Sequence, residues 1–113
     1  MATFEVGVHQ AAFAAMEAGR KTVYVLPRTD AFGLICSGDR IEFGAVGAIS
    51  VGFVRRYPNV EALLEGESWR NVQPDASSER DAALQIRATA EWDLQAERAA
   101  GVLALRVRDA VRK

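Results

Sequence analysis

The chain has 113 residues and a formal charge of −1, with half its residues apolar and about a quarter charged, the mixture of one ordinary globular domain rather than of a disordered or fibrous chain. No apolar run approaches the roughly 20 residues needed to span a bilayer, the start Met1-Ala2-Thr3-Phe4-Glu5 carries no export signal, and Cys36, without a second cysteine, excludes an internal disulfide and argues against structural zinc. The expectation is one cytoplasmic domain over residues 1–113, with no cofactor, metal or membrane contact, whose binding of nucleic acid would have to come from a local basic patch.

Residues 3–8 alternate Phe4, Val6 and Val8 with polar or small neighbours, the period of a half-buried strand. An alanine-rich helix follows over residues 9–18, with Phe13 and Met16 on one face and Gly19 at its C-terminal stop. Strand chemistry returns over residues 20–26 and ends at Pro27, which has no amide hydrogen for a ladder. A long connection, residues 28–38, is pinned by Phe32, Leu34 and Ile35. Residues 39–43 and 48–57 then form a hairpin in which Ile41, Phe43, Ile49, Val51 and Phe53 point inward.

Asn59 is a good N-cap for a short helix through Val60, Leu63 and Leu64. Residues 66–74 read as a loop. Ser77 or Ser78 caps a longer helix through about residue 90, and residues 93–100 either extend it or form a separate turn. Residues 101–108 alternate Leu103, Leu105 and Val107 as the closing strand, and the last few residues form a basic tail expected to be disordered. With few helical crossovers, this order predicts an α+β fold: a mostly antiparallel β-barrel or curved sheet of about five to six strands with short flanking helices.

Of the fourteen basic residues only Lys21 and Lys113 are lysines. Lys21 can be a point charge for a phosphate or carboxylate, a base if burial lowers its pKa, or simply a solvated side chain at a strand start. Tyr24 can donate to an oxyanion, stack on a base or fill the core. In a regular strand the two face opposite ways, so they share a cleft only if the strand begins after Lys21 or carries a bulge. The same inward alternation turns Arg55 in and Arg56 out, and Arg56 with Arg28 and Arg20 can contact phosphates. Asp39 suits a turn cap, Glu79 and Asp81 suit the dipole of a first helical turn, His9 is the lone histidine, and Trp69 and Trp92 each offer a core aromatic or a stacking surface.

Three blocks, Phe13-x-x-Met16-x-x-Gly19-Arg20-Lys21-Thr22, Ser37-Gly38-Asp39-Arg40-Ile41-Glu42-Phe43 and Arg56-Tyr57-Pro58-Asn59-Val60-Glu61-Ala62-Leu63-Leu64, followed by the strand of residues 101–108, resemble the ASCH-domain family over nearly the whole chain. The resemblance implies a PUA-like barrel with a cleft and RNA binding. It also brings in ribonucleases and a branch of amidohydrolases acting on N4-acetylcytidine. Family members carry Gly-x-Lys-x-x-Glu-x-Arg, with threonine for the glutamate in the amidohydrolase branch, whereas this chain has Gly19, Lys21, Tyr24 and Leu26.

The lost threonine and arginine favour binding over that chemistry. The leading expectation is therefore an RNA- or nucleotide-binding module with a basic cleft of Arg20, Lys21, Tyr24, Arg28 and Arg56, acting as monomer or homodimer. The alternatives are a small hydrolase, ribonuclease or amidohydrolase, with Lys21 as base or electrostatic stabiliser and Tyr24 as proton donor, and an interaction domain in which these residues are scaffold.

Overall fold

Five strands and five helices make up the computed structural model, which describes residues 1–7 and 9–113. In chain order they are β1 (Thr3–Val6), α1 (Gln10–Glu17), β2 (Val23–Pro27), β3 (Arg40–Phe43), β4 (Gly47–Tyr57), α2 (Val60–Glu67), α3 (Trp69–Val72), α4 (Glu79–Arg87), α5 (Leu94–Ala100) and β5 (Val102–Arg112). A single 3₁₀ turn, Phe32–Leu34, interrupts the connection after β2. Val8, expected to end the first strand, lies outside the described residues.

The strands form one curled sheet in the order β1-β3-β4-β5-β2. Apolar side chains pack on both of its faces. Phe13 and Met16 of α1 meet Tyr24, Leu26, Ile41, Phe43, Ile49, Val51, Leu103 and Leu105 on the inner face. Val23, Val25, Val102 and Ala104 meet α2, α3 and α4 through Val60, Leu63, Leu64, Val72 and Ile86 on the outer face. Burial on both faces explains why β2 reads as an unbroken apolar run instead of an alternation.

The sheet is a curled half-barrel of mixed strand pairing, and it does not close into the mostly antiparallel barrel that the sequence suggested. β1 pairs parallel with β3, and β2 pairs antiparallel with β5, so β1 and β2 are the two edges. A parallel pair needs a long crossover, here the stretch through α1 and β2. Between the edges the chain supplies α1, which fills the inner core with Phe13, and among the described residues no sixth strand forms.

Four local expectations are corrected. The register of β4 on β5 shifts on either side of Val51. This bulge reverses the alternation: Val54 joins the inner cluster beside Leu105, while Phe53 is only half-buried and carries the Arg55 guanidinium 4.1 Å above its ring. Arg56 consequently pairs with Leu103 on the inner side and Arg55 with Ala104 on the outer. The loop expected over residues 66–74 is largely helical, because Ser68 (φ +69°) breaks the helix and Trp69 restarts it against the outer core.

The third concerns the helix starting at Ser78, whose hydroxyl accepts from Asp81 N; it stops at Arg87, and Asp93 caps a separate α5. The fourth is the C-terminal tail, which is strand: residues 109–112 pair with Gly47–Ser50, and Arg112 meets Glu17 at 2.9 Å.

Candidate functional site

Helix α1 ends with Gly19 at φ +80°, a conformation glycine adopts without a Cβ penalty, and Gly19 N donates to Met16 O while the Arg20 and Lys21 amides donate to Ala15 O. This tight stop turns the chain inward at Lys21. One residue later Thr22 N donates to Asn71 O, and Thr22 O accepts from Val107 N at the head of β2. Because the strand begins at Val23, after Lys21, the side chains of Lys21 and Tyr24 reach the same cavity despite their odd spacing.

That cavity, of about 130 Å³, lies at the gap between the two sheet edges. Val6 at the end of β1 and Tyr24, Val25, Leu26 and Pro27 of β2 bound two sides, and Phe32, Ile86 and Trp92 add apolar wall. The polar tips are Lys21, Tyr24, His9, Gln73, Thr89 and Glu91. A shallower groove of about 480 Å³ adjoins it and shares Lys21, His9, Ala12 and Gln73, its further walls coming from Gln10 and Ala11 of α1 and from Asp75 and Gln85.

Lys21 is 4 % exposed. Its ammonium donates to the carbonyl of Val72, the last residue of α3, and to Gln73 Oε1 at 3.1 Å, and stands 5.7 Å from the centre of the Tyr24 ring. Removal from water draws its pKa down to about 7. The hydrogen bonds continue outward: Gln73 Nε2 donates to Gln85 Oε1, and Gln85 Nε2 donates to Asp81 Oδ2, each at 3.0 Å. Both amides are thus oriented between the Lys21 ammonium and the Asp81 carboxylate, an alignment in which each bond polarises the next.

Tyr24 is buried edge-on against Phe43, with ring centres 5.1 Å apart. Burial, and after it the nearby Glu91 carboxylate, push its pKa up, so its phenol stays protonated at neutral pH and can donate a hydrogen bond. Glu91 accepts from Gly7 N at 3.1 Å across 84 positions of sequence, fastening the α4–α5 connection to the end of β1. Trp92 donates its indole N–H to Glu97, a buried carboxylate that also accepts from Val60 N and is gripped by Arg87 at 2.6 Å.

Of the five residues expected in a basic cleft, the structure brings Lys21 and Tyr24 together. It leaves Arg20, Arg28 and Arg56 outside the cavity wall. Arg20 pairs with Asp75 at 2.9 Å at the rim of the groove, Arg28 borders a separate depression beside α5, and Arg56 is exposed toward the far end of β4.

Asp39 caps its turn as expected, accepting from Cys36 N and also from Ala2 N. Backbone hydrogen bonds from Ala2 and Cys36 hold its pKa below the usual carboxylate range. Glu91, Gln73 and Thr89 went unnoticed in the sequence: they lie where no periodicity or motif marks them, and only Trp92 beside Glu91 hinted at an aromatic wall. Among the described residues no three His, Cys, Asp or Glu side chains gather as a metal site, and no helix is long and apolar enough to cross a membrane.

No family model matches this chain, and no curated protein does. Solved structures match over nearly its full length. The crystal structure of the hypothetical protein PH0355 superposes with a TM-score of 0.86 at 25 % identity, covering 98 % of this chain and 100 % of that one. The solution NMR structure of PF0455 from Pyrococcus furiosus superposes with a TM-score of 0.77 at 23 % identity, covering 96 % of this chain and 97 % of that one. What the three share is a compact α+β half-barrel, compatible with a PUA-like fold.

Proposed function

We propose that this protein is a nucleoside- or nucleotide-binding domain of ASCH type, within the PUA-like half-barrels, that seats one base in the cavity between its sheet edges. The observation that carries the reading is the cavity itself: about 130 Å³, close to the roughly 150 Å³ that admits a single benzene ring, with apolar walls and a few converging polar tips. Trp92, Phe32 and Tyr24 supply aromatic surface, and Lys21, Gln73 and Thr89 supply hydrogen-bonding groups for a base edge. An RNA ligand would enter through one unstacked nucleotide. With Arg20, Arg28 and Arg56 off the wall, recognition rests on the base more than on a run of phosphates.

Trp92 reports occupancy. In a Trp69→Phe background, nucleosides and short single-stranded RNA should quench Trp92 fluorescence saturably, and Tyr24→Phe together with Lys21→Met should weaken the response tenfold or more. Unchanged fluorescence with every nucleoside and every RNA would refute the reading. A second reading, the hydrolase, is favoured by one specific arrangement: an amine substantially neutral near pH 7 beside a phenol that stays protonated is a base and acid pair. Chromatography of the same samples separates the two, since turnover would convert the nucleoside or cut the RNA while binding leaves both intact.

A further inference from the structure

Lysines are almost never fully buried unless paired, yet Lys21 is 4 % exposed and both of its acceptors are neutral oxygens. An ammonium has three hydrogens. Two go to Val72 O and Gln73 Oε1, and among the described residues no carboxylate pairs with the group. The side chain stands where the cavity meets the groove and lines both.

The surrounding charges have a direction. Glu91, from the α4–α5 connection, lies toward Tyr24 and the end of β1 and makes that end of the cavity negative. At the groove end, His9, Gln10 and Ala11 open α1, which has no side-chain cap and no acidic residue in its first turn. The groove's own carboxylate, Asp75, is held by Arg20 at 2.9 Å, and Asp81 of α4 reaches Lys21 only through Gln85 and Gln73. An anion is therefore excluded from the Glu91 end and stabilised at the Lys21 end.

We infer that the ligand in the cavity carries a phosphate that passes into the groove and pairs with Lys21, so that the preferred form is a nucleoside monophosphate and not the free nucleoside. This rests on the base-binding reading for the ring, while the phosphate site stands on Lys21 and the groove. Pairing stabilises the charged amine, so binding above neutral pH takes up a proton at Lys21. His9 and Tyr24 face the same space, and the readout below isolates the lysine from both.

The chain has two lysines, Lys21 and Lys113, so protein labelled with ¹³C at the lysine ε-carbon gives two resonances whose titrations can be followed separately by NMR. At constant ionic strength, the 113-residue chain is titrated alone, with inorganic phosphate, with a nucleoside, and with the corresponding nucleoside monophosphate. The expected result is a Lys21 midpoint that rises by one pH unit or more with phosphate and with the monophosphate, and a Lys113 midpoint that stays put.

An unchanged Lys21 midpoint with both anions would overturn the inference, as would an equal rise at Lys113. If Trp92 responds to the nucleoside while Lys21 ignores the monophosphate, the base site stands and the phosphate site falls. If Lys21 responds to phosphate while Trp92 ignores every base, the phosphate site stands and the base site falls.

Discussion

Replacing Lys21 by methionine should remove a specific pH dependence of the protein's stability. The buried amine binds its proton at about 7 in the fold and at 10.5 in the unfolded chain, so between those values the unfolded state holds more protons and stability rises with pH. Below pH 7 the burial penalty is fully present; it is relieved as pH climbs from about 7 toward 10.5. Integrating the linkage relation, the penalty is about 4 kcal/mol at pH 7 and about 2 kcal/mol at pH 9, so the wild type gains about 2 kcal/mol relative to Lys21→Met over that interval. Methionine keeps the apolar stem but leaves the Val72 carbonyl and the Gln73 amide without their donor, a loss of about 1–3 kcal/mol for each group left buried and unpaired. That loss is independent of pH. The difference between the two pH profiles therefore isolates the amine, whatever the absolute stabilities are. Urea unfolding of both proteins at pH 6, 7, 8 and 9 measures it: with a slope of roughly 2 kcal/mol per molar for a domain of this size, the wild-type midpoint should gain about 1 M on the variant between pH 7 and pH 9. Parallel profiles would show that Lys21 is hydrated in solution and would remove the electrostatic basis of the site.

Two further outcomes follow from the packing. Glu97→Gln removes the charge from a carboxylate that is 3 % exposed and holds Arg87, Trp92 and Val60 N at once, and urea unfolding at pH 7 should show a loss of roughly 2–3 kcal/mol. Burial raises the Glu97 pKa, but its hydrogen bonds from Arg87, Val60 and Trp92 outweigh that and leave it below 4.5; its contribution is present above that value and is lost as pH falls through the folded pKa, so the variant should lose less stability than the wild type between pH 5 and pH 3. Deleting residues 109–113 removes the pairing of β5 with Gly47–Ser50 and the Arg112–Glu17 contact, and thermal unfolding should register a cost of about 2 kcal/mol, whereas a disordered tail would leave the midpoint unchanged.

Where neighbouring residues alone decide a structure, it was legible in the chain. The alternations Phe4/Val6, Ile41/Phe43 and Leu103/Leu105, the caps at Asn59 and Ser78, the helix stop at Gly19 and the strand stop at Pro27 each follow from sterics and hydrogen bonds within a few positions, and each is in the fold. The singular lysine was visible too, as was the condition that a strand starting beyond it would let it share a cleft with Tyr24. The bulge at Val51 was not, because β4 by itself reads as a plain alternation and only its partner's register demands the extra residue.

The same division holds for the site. Lys21 and Tyr24 are three positions apart and could be named from the chain, but the cavity between them exists because β1 pairs parallel with β3 and leaves β2 as the opposite edge. Glu91 arrives by an 84-residue contact, and Gln73 arrives on the segment that follows α3. Residue type and spacing set which local conformations are cheap. Which strands meet, which arginines stay outside, and whether a lysine is solvated or sealed under α3 are settled by long-range packing, since burial and electric field at one side chain are sums over groups scattered along the whole chain.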